Sequence, residues 1–168
     1  MRTHLCGELD RSSVDTDVRL CGWVQRRRDH GGVIFVDLRD RTGLVQVVLD
    51  PDRPEQFRVA ESLRHEYVLA ILGRVRLRPE GTENTDMPTG EVEVLGQEIE
   101  VLNSSDPLPF QLEEDDITET VRLRYRYLDL RSARMQGNLR LRHRVVSVLR
   151  SYRSEERRVG KECRSRWS

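Results

Sequence analysis

The sequence has few cysteines and no long apolar run. Its three cysteines, Cys6, Cys21 and Cys163, have neither the spacing of metal ligands nor the even number that a disulfide framework requires. Their pattern argues against a small disulfide-rich secreted protein and favours a reducing compartment. No segment is long and apolar enough to act as a signal peptide or to cross a bilayer. The sequence therefore predicts a cytoplasmic protein with no membrane partner.

Residue patterns that carry common catalytic chemistry are also missing. There is no Gly-x-x-x-x-Gly-Lys loop to cradle a phosphate, and no nucleophile with an evident base. The four histidines, His4, His30, His65 and His143, lack the spacing of a metal site. We therefore expect no catalytic residues, no metal site and no cofactor within this chain.

Charge is abundant but balanced. The 168 residues are 35% charged and only 36% apolar, with a formal net charge of +0. A chain of this length can form one compact domain with an appendage. Because the net charge is zero, any affinity for nucleic acid must come from local clusters of basic residues. Arginines do cluster, at positions 26–28, at 74, 76 and 78, and from 122 onward.

Residues 21–50 carry the strongest pattern in the chain. Ile34, Val36 and Leu38 alternate along a predicted strand, which places Phe35 on its opposite face. The next predicted strand places Gln46 on that same face. An exposed aromatic ring, an amide and a nearby run of arginines are typical of a surface that binds single-stranded nucleic acid. A second small core beneath Phe35 fits the strand parity equally well.

The order of the predicted elements indicates an all-β fold. Strands are predicted at residues 18–25, 33–39, 44–49, 67–77 and 91–102, and one helix at residues 55–64. A helix between the third and fourth of five strands is the order of an OB-fold barrel, whose sheet face and loops commonly bind oligonucleotides. We expect residues 1–103 to form this domain, after a lead-in at residues 5–17 with one short helical turn.

The fifth predicted strand turns Glu93 outward, because Val92 and Val94 share the core parity. A carboxylate close to phosphates weakens binding, so Glu93 contributes only if it accepts hydrogen bonds from a base. A solvated glutamate at the edge of the sheet is the alternative interpretation.

The residues after 103 differ from the barrel in composition and in periodicity. Residues 104–120, with two prolines and an acidic run at 113–116, have the composition of a hinge linker. Within residues 121–152, Leu141, Val145, Val148 and Tyr152 fall on one face of a predicted amphipathic helix.

Residues 153–168 lack this helical pattern and look like the translation of a sequencing adapter. We expect this tail to be an artefact; a basic tail with weak nonspecific affinity for nucleic acid is the alternative.

Several motifs occur together in a specific order. They are Gly-Trp-Val at 22–24, Arg-Arg-Arg-Asp at 26–29, Ile-Phe-Val-Asp-Leu-Arg-Asp-Arg at 34–41, Val-Gln-Val-Val at 45–48, Asp-Met-Pro-Thr-Gly-Glu at 86–91 and Arg-Tyr-Arg-Tyr-Leu-Asp-Leu-Arg at 124–131. Through residue 152 the chain resembles the anticodon-binding domain of bacterial aspartyl-tRNA synthetases, which are class II enzymes. The related asparaginyl and lysyl enzymes share this architecture.

The resemblance implies roles for individual residues. By this likeness Phe35 stacks on the central uracil of the aspartate anticodon, Gln46 hydrogen-bonds that base, and Glu93 reads the guanine. Arg28 and Arg78 match arginines that contact the anticodon loop.

Two further positions bear on the choice of tRNA. Family members that charge only tRNA(Asp) carry a leucine and a lysine where this chain has His30 and Gly81. The likeness thus implies the form that accepts both tRNA(Asp) and tRNA(Asn). The alternative is that both residues serve only the turns in which they lie.

The resemblance also implies a larger enzyme. Aspartyl-tRNA synthetases are homodimers that use ATP and Mg²⁺ to activate aspartate and then transfer it to tRNA. Residues 121–152 match the helical start of the catalytic domain, while the ATP-binding motifs have no counterpart here. We therefore expect an amino-terminal fragment that is inactive alone. A free-standing OB module that binds single-stranded nucleic acid is the alternative.

Overall fold

The computed structural model describes residues 1–112 and 116–165, with side chains as far as Ser154. The chain divides into two compact units, Met1–Pro107 and Leu108–Ser168. The strands are β1 (Asp17–His30), β2 (Val33–Arg39), β3 (Leu44–Leu49), β4 (Val68–Leu77) and β5 (Val92–Asn103), and the helices are α1 (Pro54–Ser62), α2 (Glu119–Arg124), α3 (Arg126–Asp129) and α4 (Ala133–Ser165). None of the described helices is long and apolar enough to cross a membrane.

The first unit is a closed barrel with the strand order β1-β2-β3-β5-β4. Only β3 and β5 pair in parallel, and the other neighbours are antiparallel. Helix α1 lies between β3 and β4 in the chain, as the predicted OB-fold requires, so that prediction is confirmed. Two short 3-10 turns, Cys6–Glu8 and Arg11–Ser13, precede β1, where the sequence predicted one.

The core of the barrel follows from the alternation in the sequence. Ile34, Val36 and Leu38 of β2 are fully buried, while the residues between them are only partly covered. Helix α1 starts with Pro54 in its first turn, where the missing N–H costs no hydrogen bond. Its Ala60 is buried in the same core, and Phe57 packs against it.

Strand β1 is longer than predicted, because the arginine run belongs to the strand and not to a loop. Residues 26–30 continue pairing with β2 as far as His30, which lies opposite Val33. Only Gly31 and Gly32 form the turn, with φ of 63° and 81°. Two consecutive residues with positive φ suit glycine and match the twist of a tight hairpin.

A β-bulge interrupts this hairpin between Val24 and Arg26. Glycine often marks a bulge, but Gly22 lies outside this one and pairs regularly with Leu69 of β4. Gly22 serves another purpose, because a Cβ at this position would collide with the carbonyl oxygen of Arg39. Glycine is therefore required there by the close approach of β2.

The second unit begins within the segment predicted as a hinge. Phe110 and Leu112 form a small core with Leu128, and Val121 and Tyr125 pack against it. The residues between Leu112 and Asp116, which include most of the predicted acidic run, lie outside the described residues. Part of the predicted linker is thus packed structure, because its apolar side chains find partners on α2 and α3.

Helix α4 presents an exposed apolar stripe. Leu141, Val145, Val148 and Tyr152, the four residues predicted on one helical face, are each at least half exposed. The helical backbone continues to Ser165, through most of the segment interpreted as an artefact. The remainder of that segment, and its side chains beyond Ser154, lie outside the described residues.

Candidate nucleic-acid interface

The β-bulge decides which arginines face outward. Val24 pairs with Leu38, but the next paired residue of β1 is Arg26, opposite Asp37. Asp37 lies on the outer face of β2, so Arg26 lies there too, and Arg28 follows opposite Phe35. A regular ladder would have turned both arginines toward the core side. The bulge therefore places them beside Phe35.

Five polar residues line up across the barrel. In register, Arg26 lies opposite Asp37, Asp37 opposite Gln46, and Glu93 opposite Arg76. Gln46 and Glu93 meet across the parallel pair formed by β3 and β5, where Val47 lies opposite Val94. We call this set, Arg26, Asp37, Gln46, Glu93 and Arg76, the central row.

Arg28 and four members of the central row, Asp37, Gln46, Glu93 and Arg76, are joined by charge-assisted hydrogen bonds. Arg28 donates to Oδ1 of Asp37 at 2.7 Å and to Oε1 of Gln46 at 3.2 Å. Gln46 donates from Nε2 to Oε2 of Glu93 at 3.0 Å, and Arg76 donates from Nε to Oε1 of Glu93 at 2.8 Å. Hydrogen bonds to ionised groups are the stronger kind, so this network holds the amide and both carboxylates in fixed orientations.

Phe35 lies next to the central row. It pairs with Arg28 on one side and with Val48 on the other, and its side chain is half-buried. The outward parity predicted for Phe35 agrees with this position. A partly exposed ring beside arginines can stack on a base while the guanidinium groups contact phosphates.

Gln46 and Glu93 differ from the expectation of open, outward side chains. Their strand parity is as predicted, yet Gln46 is 7% exposed and Glu93 only 2% exposed. The arginines cover them: Arg28 and Arg76 lie over the amide and the carboxylate, and their own side chains remain 42% and 45% exposed. Alternation along a strand predicts the face on which a residue lies. It does not predict whether side chains from neighbouring strands cover that residue.

Arg78 is also buried, at 8% exposure, and does not join the central row. It donates from Nε to the carbonyl oxygen of Val92 at 3.2 Å and from its terminal nitrogens to the carbonyl of Thr82 and the sulfur of Met87. Burial lowers the pKa of Arg78, with the charge of Glu93 opposing that effect. In this structure the guanidinium ties the β4–β5 loop to the barrel.

His30 lies at the end of β1 and Gly81 in the β4–β5 loop, beside the two connections of an OB-fold that commonly bind oligonucleotides. His30 is exposed at the end of β1, next to the Gly31–Gly32 turn. Gly81 is exposed in the β4–β5 loop with φ of 81°, and no atom lies near the position of a Cβ. A side chain at position 81 would therefore meet no neighbouring atom, although the positive φ would strain the backbone there.

Asp37 and Arg76 belong to the site but were not predicted from the sequence. The alternation that selected Phe35 also selects Asp37, two residues along the same face. Arg76 lies between Arg74 and Arg78, in an arginine cluster whose only sequence signal is its charge. Asp37 lies opposite Arg26, and Arg76 opposite Glu93, because of the register of β1 with β2 and of β4 with β5. No local sequence pattern predicts that register.

No metal site is evident on the described part of this face. Among the described residues, no group of three or more His, Cys, Asp or Glu side chains is arranged to hold a metal ion. The carboxylates of the central row are engaged by arginines. The arrangement therefore suits the binding of bases and phosphates rather than metal chemistry.

Comparison with solved structures identifies similar folds among aminoacyl-tRNA synthetases. The asparaginyl-tRNA synthetase from Pyrococcus horikoshii, complexed with asparaginyl-adenylate, is 25% identical with a TM-score of 0.77; the match covers 90% of this chain and 34% of that one. The aspartyl tRNA synthetase from Entamoeba histolytica is 18% identical with a TM-score of 0.83, covering 94% and 38%; at that identity the likeness shows the fold alone. The chain thus spans about a third of the length of these synthetases.

Smaller proteins match part of the chain over nearly their whole length. OBody AM3L15, solved bound to hen egg-white lysozyme, is 30% identical with a TM-score of 0.56, and the match covers 65% of this chain and 96% of the OBody. A tRNA anticodon family model, described as OB-fold nucleic acid binding domain, matches residues 18–102, which is just over half of the chain. The protein therefore belongs to the family of OB-fold nucleic acid binding domains.

Proposed function

We propose that this chain is the anticodon-binding part of an aspartyl-tRNA synthetase. The observation that carries the proposal is Phe35 beside the central row, where a ring, an amide and a carboxylate lie within reach of one short strand of RNA. In this proposal Phe35 stacks on the central base of the anticodon, and Gln46 and Glu93 read base edges. Arg26, Arg28 and Arg76 contribute positive charge toward the phosphates.

The hydrogen bonds of the unbound domain suggest how RNA would enter. Both polar atoms of the Gln46 amide are engaged, one by Arg28 and the other by Glu93. Arg28 and Arg76 are the exposed members of these contacts, so they can turn toward phosphates without unfolding the barrel. Gln46 and Glu93 would then present their free edges to bases. Burial keeps both groups oriented before RNA binds, which limits the entropy cost of binding.

Arg78 acts in this proposal through the β4–β5 loop. Because its guanidinium is held by Val92 and Thr82, it sets the course of the loop that carries Gly81. We propose that this loop and His30 face the third base of the anticodon, and that tRNA(Asn) is accepted together with tRNA(Asp).

The larger protein implied by the proposal is a homodimeric synthetase that joins aspartate to tRNA. In this proposal ATP and Mg²⁺ bind to its catalytic part. No residue of this chain is assigned to them or to a catalytic step. The chain itself contributes recognition of tRNA.

A competition experiment tests the proposal. A labelled anticodon stem-loop of tRNA(Asp) would be bound to the full chain and displaced by three competitors: the same stem-loop unlabelled, a stem-loop with an unrelated anticodon, and an unstructured RNA of equal length. We expect the cognate stem-loop to compete at least about 10-fold better than the others, since one mismatched base costs roughly 1–3 kcal/mol. Equal competition by all three would favour a module that binds single strands without reading their sequence.

A further inference from the structure

The bulge at Gln25 resolves a mismatch within the β1–β2 hairpin. The turn fixes His30 opposite Val33, and the core fixes Val24 opposite Leu38. Between these two pairs β1 has one residue more than β2, so β1 must bulge by one residue. The register shifts between Val24 and Arg26, which places the bulge at Gln25. A bulge both bends a strand and redirects the side chains after it.

Three side chains hold the bulge in place. Arg39 donates to Oε1 of Gln25 at 3.1 Å and to Oε1 of Glu66 at 2.6 Å. The Arg39 and Glu66 side chains are only 19% and 6% exposed. We call Gln25, Arg39 and Glu66 the bulge clamp. A rigid planar guanidinium suits this task, because it can bind two acceptors at fixed angles.

The backbone around Glu66 reinforces the clamp. Glu66 has φ of 63°, a conformation that non-glycine residues rarely adopt. In this conformation its N–H donates to the carbonyl oxygen of Val24 at 2.8 Å, while the N–H of Val24 donates to the carbonyl oxygen of Tyr67 at 2.9 Å. The residue before the bulge is thus held by the backbone, and the bulged residue is held by Arg39. Unusual backbone geometry persists where the surroundings determine it strongly.

We propose that Arg39, held by Glu66, is a positioning residue for RNA binding. The turn and the core require one bulge between Val24 and His30; by fixing it at Gln25 and not nearer the turn, Arg39 keeps Arg26 and Arg28 on the face of Phe35 instead of on the core side. This inference rests on the proposed function of that face. Without the clamp, the hairpin beyond Val24 frays or shifts, and the two arginines no longer have a fixed place beside the central row.

A purely stabilising role for the Arg39–Glu66 ion pair makes a different prediction. In that case, removing the pair lowers stability but leaves the contribution of Arg28 to RNA binding unchanged. Replacing Arg39 or Glu66 alone would leave the other charge buried without its partner. The resulting loss of stability could not be told apart from a loss of positioning. The main variant therefore replaces both charges, as Arg39→Met with Glu66→Met. The matched control is Arg19→Met with Glu100→Met, an exposed pair 3.3 Å apart elsewhere on the barrel.

The decisive measurement is a double-mutant cycle on the full chain. Affinity for the tRNA(Asp) anticodon stem-loop is measured with and without Arg28→Ala, in the wild type, the double-Met variant and the control. We expect Arg28→Ala to weaken binding in the wild type and the control, and to have no effect in the double-Met variant. The slope of log affinity against log salt should also become shallower in that variant, by about 0.7 for each phosphate that an arginine no longer neutralises.

An undiminished effect of Arg28→Ala in the folded double-Met variant would overturn the proposal. If that variant does not fold, Gln25→Ala takes its place in the same cycle, since it removes one acceptor of Arg39 and leaves the ion pair with Glu66 in place. Nuclear Overhauser effects between the backbones of Arg26 and Asp37 supply a test that needs no RNA. We expect them to weaken when the clamp is removed, and their full retention would contradict the proposal.

The two proposals fail in different ways. If the wild type does not bind the stem-loop, the proposed function is wrong, and the Overhauser effects between Arg26 and Asp37 still report on the clamp. If the wild type binds and Phe35→Ala weakens binding, but the cycle shows no coupling between Arg28 and the clamp, only the inference about Arg39 is wrong.

Discussion

Gln46 and Glu93 meet in a buried hydrogen bond, 3.0 Å from Nε2 to Oε2, although 47 residues separate them in the chain. Strands β3 and β5 are parallel neighbours, and this pairing brings the two side chains together. The bond fixes the orientation of the amide, so its oxygen is directed to Arg28. Recognition of a base at this place would therefore depend on one orientation of Gln46, which Glu93 enforces.

Phe35→Ala should weaken binding of the anticodon stem-loop without unfolding the barrel. A base stacked on an aromatic ring is worth about 1–3 kcal/mol, so affinity should fall roughly 5-fold to 150-fold. Fluorescence anisotropy with the labelled stem-loop measures the change, and thermal unfolding verifies the fold. Tyr127→Ala, which removes an exposed ring of the second unit, serves as the control. Unchanged affinity in a folded Phe35→Ala protein would refute the stacking role.

Glu93→Leu should destabilise the barrel by about 1–3 kcal/mol, because the buried Nε2 of Gln46 is left without its acceptor. Glu91→Leu, at the residue just before β5, is the matched control. Glu91 is half exposed in its ion pair with Arg11, so its replacement should cost about 1 kcal/mol or less. Urea unfolding of both variants gives the free energies. Equal destabilisation would mean that the Gln46–Glu93 bond does not contribute as described.

His30→Leu combined with Gly81→Lys should change the choice between stem-loops that end the anticodon in cytosine or uracil. We expect the wild type to bind both with similar affinity, and the double variant to prefer cytosine. Because Gly81 has φ of 81°, any side chain there strains the loop. Gly81→Ala in the His30→Leu background separates this strain from the effect of the lysine charge. A wild type that already discriminates strongly would show that these residues do not set the choice.

Acid should destabilise the barrel through Asp40. Burial alone would raise the pKa of Asp40, but hydrogen bonds from Thr42, Cys6 and Gly43 outweigh it and hold the pKa below its ordinary value of 3.8. Because the folded pKa lies below the unfolded one, this stabilisation is complete above the ordinary value and is lost as the pH falls through the folded pKa. Asp40→Asn should lower stability at neutral pH and flatten the acid dependence.

Urea unfolding of the wild type and Asp40→Asn, from neutral pH to about pH 2, measures this dependence. Asp52→Asn, at an exposed position, is the control. An acid dependence that is as steep in Asp40→Asn as in the wild type would assign the effect to other carboxylates.

Helix α4 should exchange its amide protons much faster than the barrel. None of its described side chains, residues 133–154, is buried, and helices without packing are marginal in water. We expect protection of roughly 10-fold or less in α4, against at least about 1000-fold in the central strands of a stable domain. Hydrogen exchange at several protein concentrations measures this. Protection around Val145 equal to that of β2 at every concentration would contradict the prediction.

Much of the barrel could be predicted from local patterns. The alternation of Ile34, Val36 and Leu38 with Phe35 and Asp37 defines β2 to the residue. The helical spacing of Phe57, Ala60 and Leu63 indicates α1. These patterns are local because the side-chain periods of strands and helices are properties of the backbone. The parity of Phe35, Gln46 and Glu93 followed from the same rule.

Tertiary structure alone decided which of those residues lie together and how far each is buried. The bulge at Gln25 reverses the parity of the arginine run, since the turn and the core impose pairings that differ by one residue. The parallel pairing of β3 with β5 buries Gln46 and Glu93 beneath Arg28 and Arg76. Packing against α3 turns part of the predicted linker into a small core. The sequence by itself determined the face on which each residue of a regular strand lies. The register of the strands and the burial of individual side chains arise only when distant strands pair, because one pairing fixes many contacts at once.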